Sequence, residues 1–313
     1  MKLILERKLT MIKKILPLGF DSFGVRSMAT FVETDDLKIL IDPGVSLAPL
    51  RYGLEPHPLE WQRLDETWEV IKQYADESDV LIVTHYHYDH HDPDHPELYR
   101  DKTVFIKHPT QNINLSQKGR AAYFLEAIKG LPKRLEIADG KSFTFGETTI
   151  TFSRAVCHGT NPKLGYVTET CIKCGGEKFL HTSDVEGPSL EDQIAFILQQ
   201  KPETLFVDGP MTYMLGYRYS FKSLEISNAN LVRAIKEGGL HTLVLDHHFL
   251  RDLNYKMRIK PLYEEAQKHS VKVVTAAEFA GRKIEMLEAL RKELYAKHGV
   301  EGFEVKRRPL REE

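Results

Sequence analysis

The chain of 313 residues is long enough to bury a large core as one big domain or two small ones. Its formal net charge of −2 gives no field that would by itself attract nucleic acid or an anionic membrane. No apolar run approaches the length of a membrane span, and lysines interrupt the apolar residues of the N-terminus, so we expect neither a transmembrane helix nor a signal peptide.

The first half of the chain is rich in predicted strands. Apolar alternation and short apolar runs predict them at Ile12–Leu18, Ala29–Glu33, Lys38–Ile41, Val80–Val83, Thr103–Ile106, Arg134–Ile137, Ser142–Phe145 and Thr148–Ser153. Helical spacing predicts helices at Pro58–Tyr74, where Trp61 and Trp68 share one face, and at Asn114–Lys129.

The second half alternates strands with helices. A hairpin is predicted from Leu164–Lys173 to Glu177–His181, with its turn at Gly175-Gly176. Later strands are predicted at Leu205–Val207, Thr242–Leu245 and Lys272–Val274, and helices at Leu190–Gln200, Ser223–Lys236, Lys256–Lys268 and Ala277–Lys297. The pattern favours an α+β fold of two packed sheets with helices outside, a four-layer αββα sandwich. Because no linker divides the chain, we expect a single domain over residues 1–313, with 1–10 as an optional N-terminal extension and 299–313 as a C-terminal tail.

The strongest chemical signal is a histidine-rich segment that directly follows the apolar strand Val80–Val83. Its candidate metal ligands are His85, His87, Asp89 and His90. Four ligands within six residues cannot all reach one ion with good geometry, so the spacing predicts two neighbouring ions. The alternative is a solvated histidine-rich loop, and the further histidines and aspartates that follow other predicted strands argue against it.

This segment resembles the HxHxDH signature of the metallo-β-lactamase superfamily. Four further motifs occur in that family's order, at Ile41-Asp42-Pro43-Gly44, Cys157-His158-Gly159, Thr182-Ser183-Asp184 and Asp246-His247-His248. The resemblance covers nearly the whole chain and implies the metallo-β-lactamase fold. Gly19–Ser27, Ser183–Pro188 and Asp246–Asp252 resemble an uncharacterised, mostly archaeal branch of predicted hydrolases, which supplies no substrate.

The resemblance also implies a role for each motif residue. One ion would be bound by His85, His87 and His158, and the second by Asp89, His90 and His247, with Asp184 shared between them and Asp42 supporting the loop. Zinc is the favoured metal, and iron or manganese are the alternatives. The implied chemistry is hydrolysis of a small-molecule ester, lactone or phosphodiester by a hydroxide that bridges the two ions, with Asp89 and Asp184 as the catalytic carboxylates.

The last ligand is the least determined of the set. Successive side chains of a strand point to opposite faces, so His247 and His248 should not both reach one ion, and the family's spacing favours His247. His248 is then expected to face the neighbouring loop, where it would contact the substrate or Arg251. Arg251 is either an anion clamp or a surface salt bridge, and Tyr213 either lines a substrate pocket or packs over a loop. We expect Asp21 to lie outside the metal site.

The three cysteines, Cys157, Cys171 and Cys174, are an odd number and form no disulfide framework, which indicates a reduced, cytoplasmic protein. Cys171 and Cys174 form a CxxC pair with no second pair. They are therefore either half of a zinc knuckle or, as we favour, two inert cysteines of the hairpin.

Two other functions compete with a small-molecule hydrolase. A nuclease acting on RNA or single-stranded DNA is supported only by the basic tail at Lys306-Arg307-Arg308, and the net charge argues against nucleic acid as a partner. A metal-binding protein without turnover is the other, and the complete ligand set argues against it. No membrane partner is expected, and the oligomeric state is left open.

Overall fold

The computed structural model describes residues 11–299 and Leu310. Most of the proposed N-terminal extension and C-terminal tail, including Lys306-Arg307-Arg308, therefore lies outside the described residues. Within them, no helix is long and apolar enough to cross a membrane.

A six-stranded sheet is built by the first part of the chain, with its strands in chain order. The strands are β1 (Ile12–Pro17), β2 (Thr30–Thr34), β3 (Lys38–Ile41), β4 (Val80–Val83), β5 (Thr103–Ile106) and β6 (Arg134–Ile137). β1, β2 and β3 pair antiparallel, and β3 to β6 pair parallel. The parallel strands therefore end at one common edge of this sheet.

A seven-stranded sheet follows, formed by β7 (Ser142–Phe145), β8 (Thr148–Phe152), β11 (Thr170–Cys174), β12 (Glu177–His181), β13 (Thr204–Asp208), β14 (Thr242–Asp246) and β15 (Lys272–Val274). The order of these strands in the sheet is β15-β14-β13-β12-β11-β8-β7. The strands from β7 to β12 pair antiparallel, and β12 to β15 pair parallel. A two-stranded ribbon of β9 (Val156–Cys157) and β10 (Tyr166–Val167) stands beside it.

Eight α-helices occur in the described residues: α1 (Pro58–Glu77), α2 (Leu115–Ala127), α3 (Glu191–Gln200), α4 (Phe221–Glu237), α5 (Tyr255–Arg258), α6 (Lys260–Lys268), α7 (Ala276–Phe279) and α8 (Arg291–His298). The longest, α1, begins with a proline and with a capping box formed by His57 and Glu60. It buries Trp61 and Trp68 on one face, as predicted.

The apolar residues form layers that explain the architecture. Val80 and Ile82 of β4 pack between the two sheets with Phe206 of β13, and Leu81 of β4 packs under α1 and α2 on the opposite face of the strand. A third cluster places α3, α4 and α6 on the outer face of the second sheet. A strand covered on both faces needs apolar residues at every position, which accounts for the unbroken run of β4. The predicted four-layer αββα sandwich is confirmed.

Three predicted elements are wrong in detail. The strand Leu164–Lys173 is interrupted, because β10 pairs with β9 and the backbone of Thr168 then turns to donate to Thr84 O at 3.1 Å. The helix Lys256–Lys268 is divided at Ile259, since Pro261 has no N–H to continue the helical hydrogen bonds.

The final helix, predicted over Ala277–Lys297, consists of α7 and α8 with a non-helical segment between them. α7 ends at Phe279, and Gly281, two residues later, has a φ of +66°, the left-handed conformation that glycine adopts readily. In the non-helical segment Glu285 N donates to Ser22 O at 2.8 Å, and the buried carboxylate of Glu288 accepts two hydrogen bonds from Arg26 at 2.6 and 2.9 Å. These tertiary contacts replace the helix that the local sequence favours.

Candidate metal centre

The predicted ligands come together where strands of both sheets end. His85 follows β4, His158 follows β9, and Asp184 and His247 follow β12 and β14. Their side chains are buried, so the site lies at the carboxyl edge of the two sheets and beneath the loops that cover it.

A first group contains His85, His87, His158 and Asp184, whose ligand atoms all lie within 4.8 Å of one another. Asp184 Oδ2 is 3.6 Å from His85 Nε2 and 3.2 Å from His158 Nε2. Three imidazoles and one carboxylate around one point are the donor set of a zinc-type site.

A second group contains Asp89, His90, His247 and Asp184, again within 4.8 Å. Asp184 Oδ1 is 3.0 Å from His90 Nε2, while Asp184 Oδ2 is 3.4 Å from His247 Nε2. Asp184 therefore belongs to both groups. The structure brings together all seven residues predicted as ligands and divides them as the resemblance implies.

Several ligand atoms of these groups are otherwise unsatisfied. Among the residues that the structure describes, His85 Nε2, His90 Nε2, His158 Nε2 and Asp184 Oδ1 are buried without a partner in hydrogen-bond geometry. Leaving several such atoms together in a protein interior costs free energy, and a bound cation would remove that cost. The residues present therefore fit a pair of divalent ions.

The protonation states of Asp184 and His85 suit the binding of cations. Burial raises the pKa of Asp184, but His90, His247 and His85 beside it lower that pKa well below its ordinary value, so the carboxylate is ionised. Burial and the neighbouring His90 hold the pKa of His85 well below its ordinary value, against the effect of Asp184. His85 is thus a neutral imidazole, which is the form that binds metal.

Asp42 supports the metal-binding loop from beneath. Its carboxylate accepts hydrogen bonds from Thr84 N at 2.8 Å and Thr84 Oγ1 at 2.7 Å, and from His90 Nδ1 at 2.8 Å. The last bond turns His90 Nε2 toward the second group. Gly44 lies so close to the loop that a Cβ at this position would be 2.3 Å from His91 N.

The turn after β14 separates the paired histidines. The strand continues to Asp246, and His247 then adopts a φ of +61°. The alternation of side chains between the two faces of the strand therefore ends before His247. His247 Nε2 points to Asp184 and Asp89, at 3.4 and 3.6 Å. His248 Nδ1 donates instead to Asp208 Oδ2 at 3.0 Å. His247 therefore lies among the donors of the second group, and His248 faces a neighbouring loop.

The expectation that Asp21 lies outside the site is wrong. His247 Nδ1 donates to Asp21 Oδ2 at 2.7 Å, and Arg251 Nε donates to Asp21 Oδ1 at 2.8 Å. Arg251 is 2% exposed, which excludes a surface salt bridge. The ring of Tyr213 lies 5.9 Å from the Arg251 guanidinium and 4.7 Å from that of Arg51, so it covers this ion pair.

Three supporting residues had no signal strong enough to identify them from sequence. Asp208 ends β13 and accepts hydrogen bonds from Glu186 N at 2.8 Å and from His248 N at 3.1 Å. Glu186 Oε1 lies 3.5 Å from His158 Nδ1. Gln117 Nε2 lies 3.4 Å from His87 Nε2. Asp208 also forms a third group with Asp184 and His248, but its oxygens already accept those hydrogen bonds, so it serves to orient His248.

The cysteine pair is not a metal site. Cys171 and Cys174 are three positions apart on β11, and residues at odd spacing on a strand point to opposite faces. Burial raises the pKa of Cys171 to about 12, which disfavours the thiolate that binds metal. Both are unpaired and buried, as the favoured interpretation predicts.

Two cavities are lined by residues of the loops that carry candidate ligands. One, which we call the His158 cleft, has a volume of about 310 Å³ and extends from His158 and Glu186 to Lys163 and Arg218. The other, which we call the His91 cavity, has a volume of about 280 Å³ and is bordered by His91, Asp92, Asp94 and His95.

Comparison with known proteins gives a consistent result. The sequence profile of a family described as "Beta-lactamase superfamily domain" matches residues 38–248, which contain every predicted ligand. A "UPF0282 protein" of Korarchaeum cryptofilum is 54% identical over 294 residues, which cover 94% of this chain and 98% of the relative. A protein of the same name from Metallosphaera sedula is 52% identical over 287 residues, 90% of this chain and 93% of the relative. Among solved structures, unliganded yeast PDE1 is similar with a TM-score of 0.50 and 13% identity, over 83% of this chain and 96% of that one.

Proposed function

Since the chain belongs to the beta-lactamase superfamily and, within it, to the UPF0282 family, we propose that it is a hydrolase that uses two divalent metal ions. The observation that carries this proposal is the position of Asp184 between two buried groups of imidazole and carboxylate donors. Zinc is the metal we propose first, with iron or manganese as alternatives for the same donors. When bound, such ions supply Lewis acidity and a water that is activated at neutral pH.

The surrounding side chains hold the donors in place. Asp42 and Asp21 accept hydrogen bonds from the rear nitrogens of His90 and His247, and so fix which nitrogen of each ring faces the centre. His248 is oriented in the same way by Asp208 and is not needed as a ligand. We propose that His248 and Asp89 contact the substrate, and that the Arg251 guanidinium, held by Asp21, stabilises negative charge that develops there.

The substrate we propose is a small-molecule ester, lactone or phosphodiester. In each of these, attack by water places negative charge on an oxygen, and the buried cationic centre would stabilise that charge. The unpaired cysteines support a further proposal that the enzyme works in a reducing, cytoplasmic environment.

The test is metal analysis of the purified protein together with a screen of phosphodiesters, lactones, esters and thioesters, each with and without a chelator. RNA and single-stranded DNA belong in the same screen, since their cleavage would indicate a nuclease. Chelator-sensitive hydrolysis of one small-molecule class supports the proposal. Protein that carries its metal and hydrolyses none of these compounds would instead indicate metal binding without turnover.

A further inference from the structure

The His158 cleft leads from the candidate metal centre to the surface. Its floor is formed by buried residues, among them His158 and Glu186, and its rim by exposed residues that include Lys163 and Arg218. A volume of about 310 Å³ is enough for part of a small metabolite. A group that occupies this cleft would therefore be connected directly to the reacting end of a substrate at the metals.

Both walls of the cleft have a fixed backbone. The wall that carries Lys163 is held by Asn114 Nδ2, which donates to Lys163 O at 2.8 Å, and by Gln117 Nε2, which donates to Leu164 O at 2.6 Å. In the opposite wall the backbone N–H groups of Tyr217 and Arg218 both donate to Met214 O at 3.0 Å. The two cationic residues are thus attached to stable turns that are far apart in sequence and meet only at this cleft.

In the His158 cleft the basic side chains lie at the exposed rim and the acidic side chain lies at the buried floor. Lys163 and Arg218 are the basic residues that line it, and neither forms an ion pair within the part of the chain that the structure describes. The acidic residue, Glu186, lies on the buried floor beside His158 Nδ1 at 3.5 Å. The His91 cavity has the opposite character, because Asp92 and Asp94 line it without lysine or arginine. Of these two cavities, the His158 cleft is therefore the one with cationic side chains at its rim.

We infer that the substrate carries, in addition to the group that is hydrolysed, a second anionic group, a phosphate or a carboxylate, which Lys163 and Arg218 bind at the rim of the His158 cleft. The inference depends on the proposed function in one respect, namely that the group to be hydrolysed lies at the metal centre. Charge-assisted hydrogen bonds from an ammonium and a guanidinium suit the oxygens of either anion.

A binding experiment on the metal-loaded protein separates this site from catalysis. Isothermal titration compares alkyl monophosphates with alkanediol bisphosphates of increasing linker length, and a second arm compares alkyl carboxylates with dicarboxylates. For the linker length that spans the cleft, we expect the doubly anionic compound to bind about tenfold more tightly than its singly anionic partner. The arm with the larger gain identifies phosphate or carboxylate as the second group.

The variant with both Lys163→Gln and Arg218→Gln should lose this gain and keep its affinity for the singly anionic compounds. A matched control carries Lys268→Gln and Arg134→Gln, which remove the same charges from α6 and β6 at positions outside the cleft. The control should keep the gain, and metal content and thermal unfolding verify that both variants are folded. No gain at any linker length in the unaltered protein, or an equal loss in the control, would overturn the inference.

The outcome is independent of turnover. If the gain depends on Lys163 and Arg218 but no phosphodiester, lactone, ester or thioester of the activity screen is hydrolysed, the anion site stands and the proposed hydrolase fails. If hydrolysis is found without the gain, the proposed function stands and the inference fails.

Discussion

The first sheet supplies four candidate ligands from one loop after β4, whereas the second half of the fold supplies three from three separate loops. The loop after β4 carries His85, His87, Asp89 and His90 and is fastened by the single carboxylate of Asp42. His158, Asp184 and His247 are each positioned by their own neighbours. The comparison shows that one side of the centre is a local motif, while the other exists only after the fold has formed.

Asp184 connects the two sides, so its loss should have the largest effect. We expect Asp184→Asn to lower the affinity for both ions by more than about 100-fold, because replacing a residue that merely supports a ligand commonly costs 10- to 100-fold. Competition titration with a chelating dye measures both affinities. Asp65→Asn, at an exposed position of α1, is the control and should bind as the unaltered protein does. Retention of both ions by Asp184→Asn would show that the two groups do not share a ligand.

A substitution of Asp21 tests the side of the centre whose ligands come from separate loops. Asp21→Asn keeps the shape of the side chain but weakens its hold on His247 Nδ1 and Arg251. We expect the affinity for one ion to fall by about 10- to 100-fold and the affinity for the other to change little. Calorimetric metal titration resolves the two, and equal weakening of both would mean that His247 is not confined to the second group.

A substitution of Gly44 tests the packing of the ligand-bearing loop after β4. Gly44→Ala would place a Cβ 2.3 Å from His91 N, so the turn and the loop must separate. We expect the free energy of unfolding to fall by about 1–3 kcal/mol, as measured by denaturant titration. Gly119→Ala is the matched control, because its Cβ would meet no atom within 4 Å and alanine favours the helix, so that variant should lose no stability. Equal stabilities of the two variants would show that the loop is not packed on the Asp42–Gly44 turn.

The dependence of stability on pH tests the charge of His158 in the metal-free protein. Burial lowers the pKa of His158, but the adjacent carboxylates of Asp184 and Glu186 outweigh that effect and raise this pKa to about 10. A raised pKa stabilises the metal-free fold below the unfolded value of about 6.5, and this stabilisation is lost as pH rises toward 10. Metal binding must displace the proton, so we expect chelated protein to lose stability between these pH values while metal-loaded protein does not. Thermal unfolding over this range, with and without chelator, measures the difference, and parallel curves would contradict it.

The features of the fold and the site that are predictable from the sequence have local determinants. The unbroken apolar run of β4 and the ligand spacing directly after it lie within a few residues of each other, and the structure places both where the pattern predicts them. The αββα layers were also predictable, since they follow from the order of strands and amphipathic helices.

Contacts between distant residues were not predictable in the same way. Asp21 and His247 are 226 positions apart, and nothing near Asp21 in the sequence resembles a metal site. The segment between α7 and α8 has helical composition, but the partly buried pair of Arg26 and Glu288, 262 positions apart, holds it in another conformation. The preference of a local sequence for a helix contributes little free energy, and tertiary contacts of this kind outweigh it.

The central claim is that both sides of the fold share one centre for two ions. Anomalous X-ray diffraction at the zinc absorption edge, on crystals grown with zinc, locates such ions directly. We predict two peaks, one among His85, His87 and His158 and one among Asp89, His90 and His247, both in contact with Asp184. A single peak, or a second peak bound by Asp208 and His248, would contradict it.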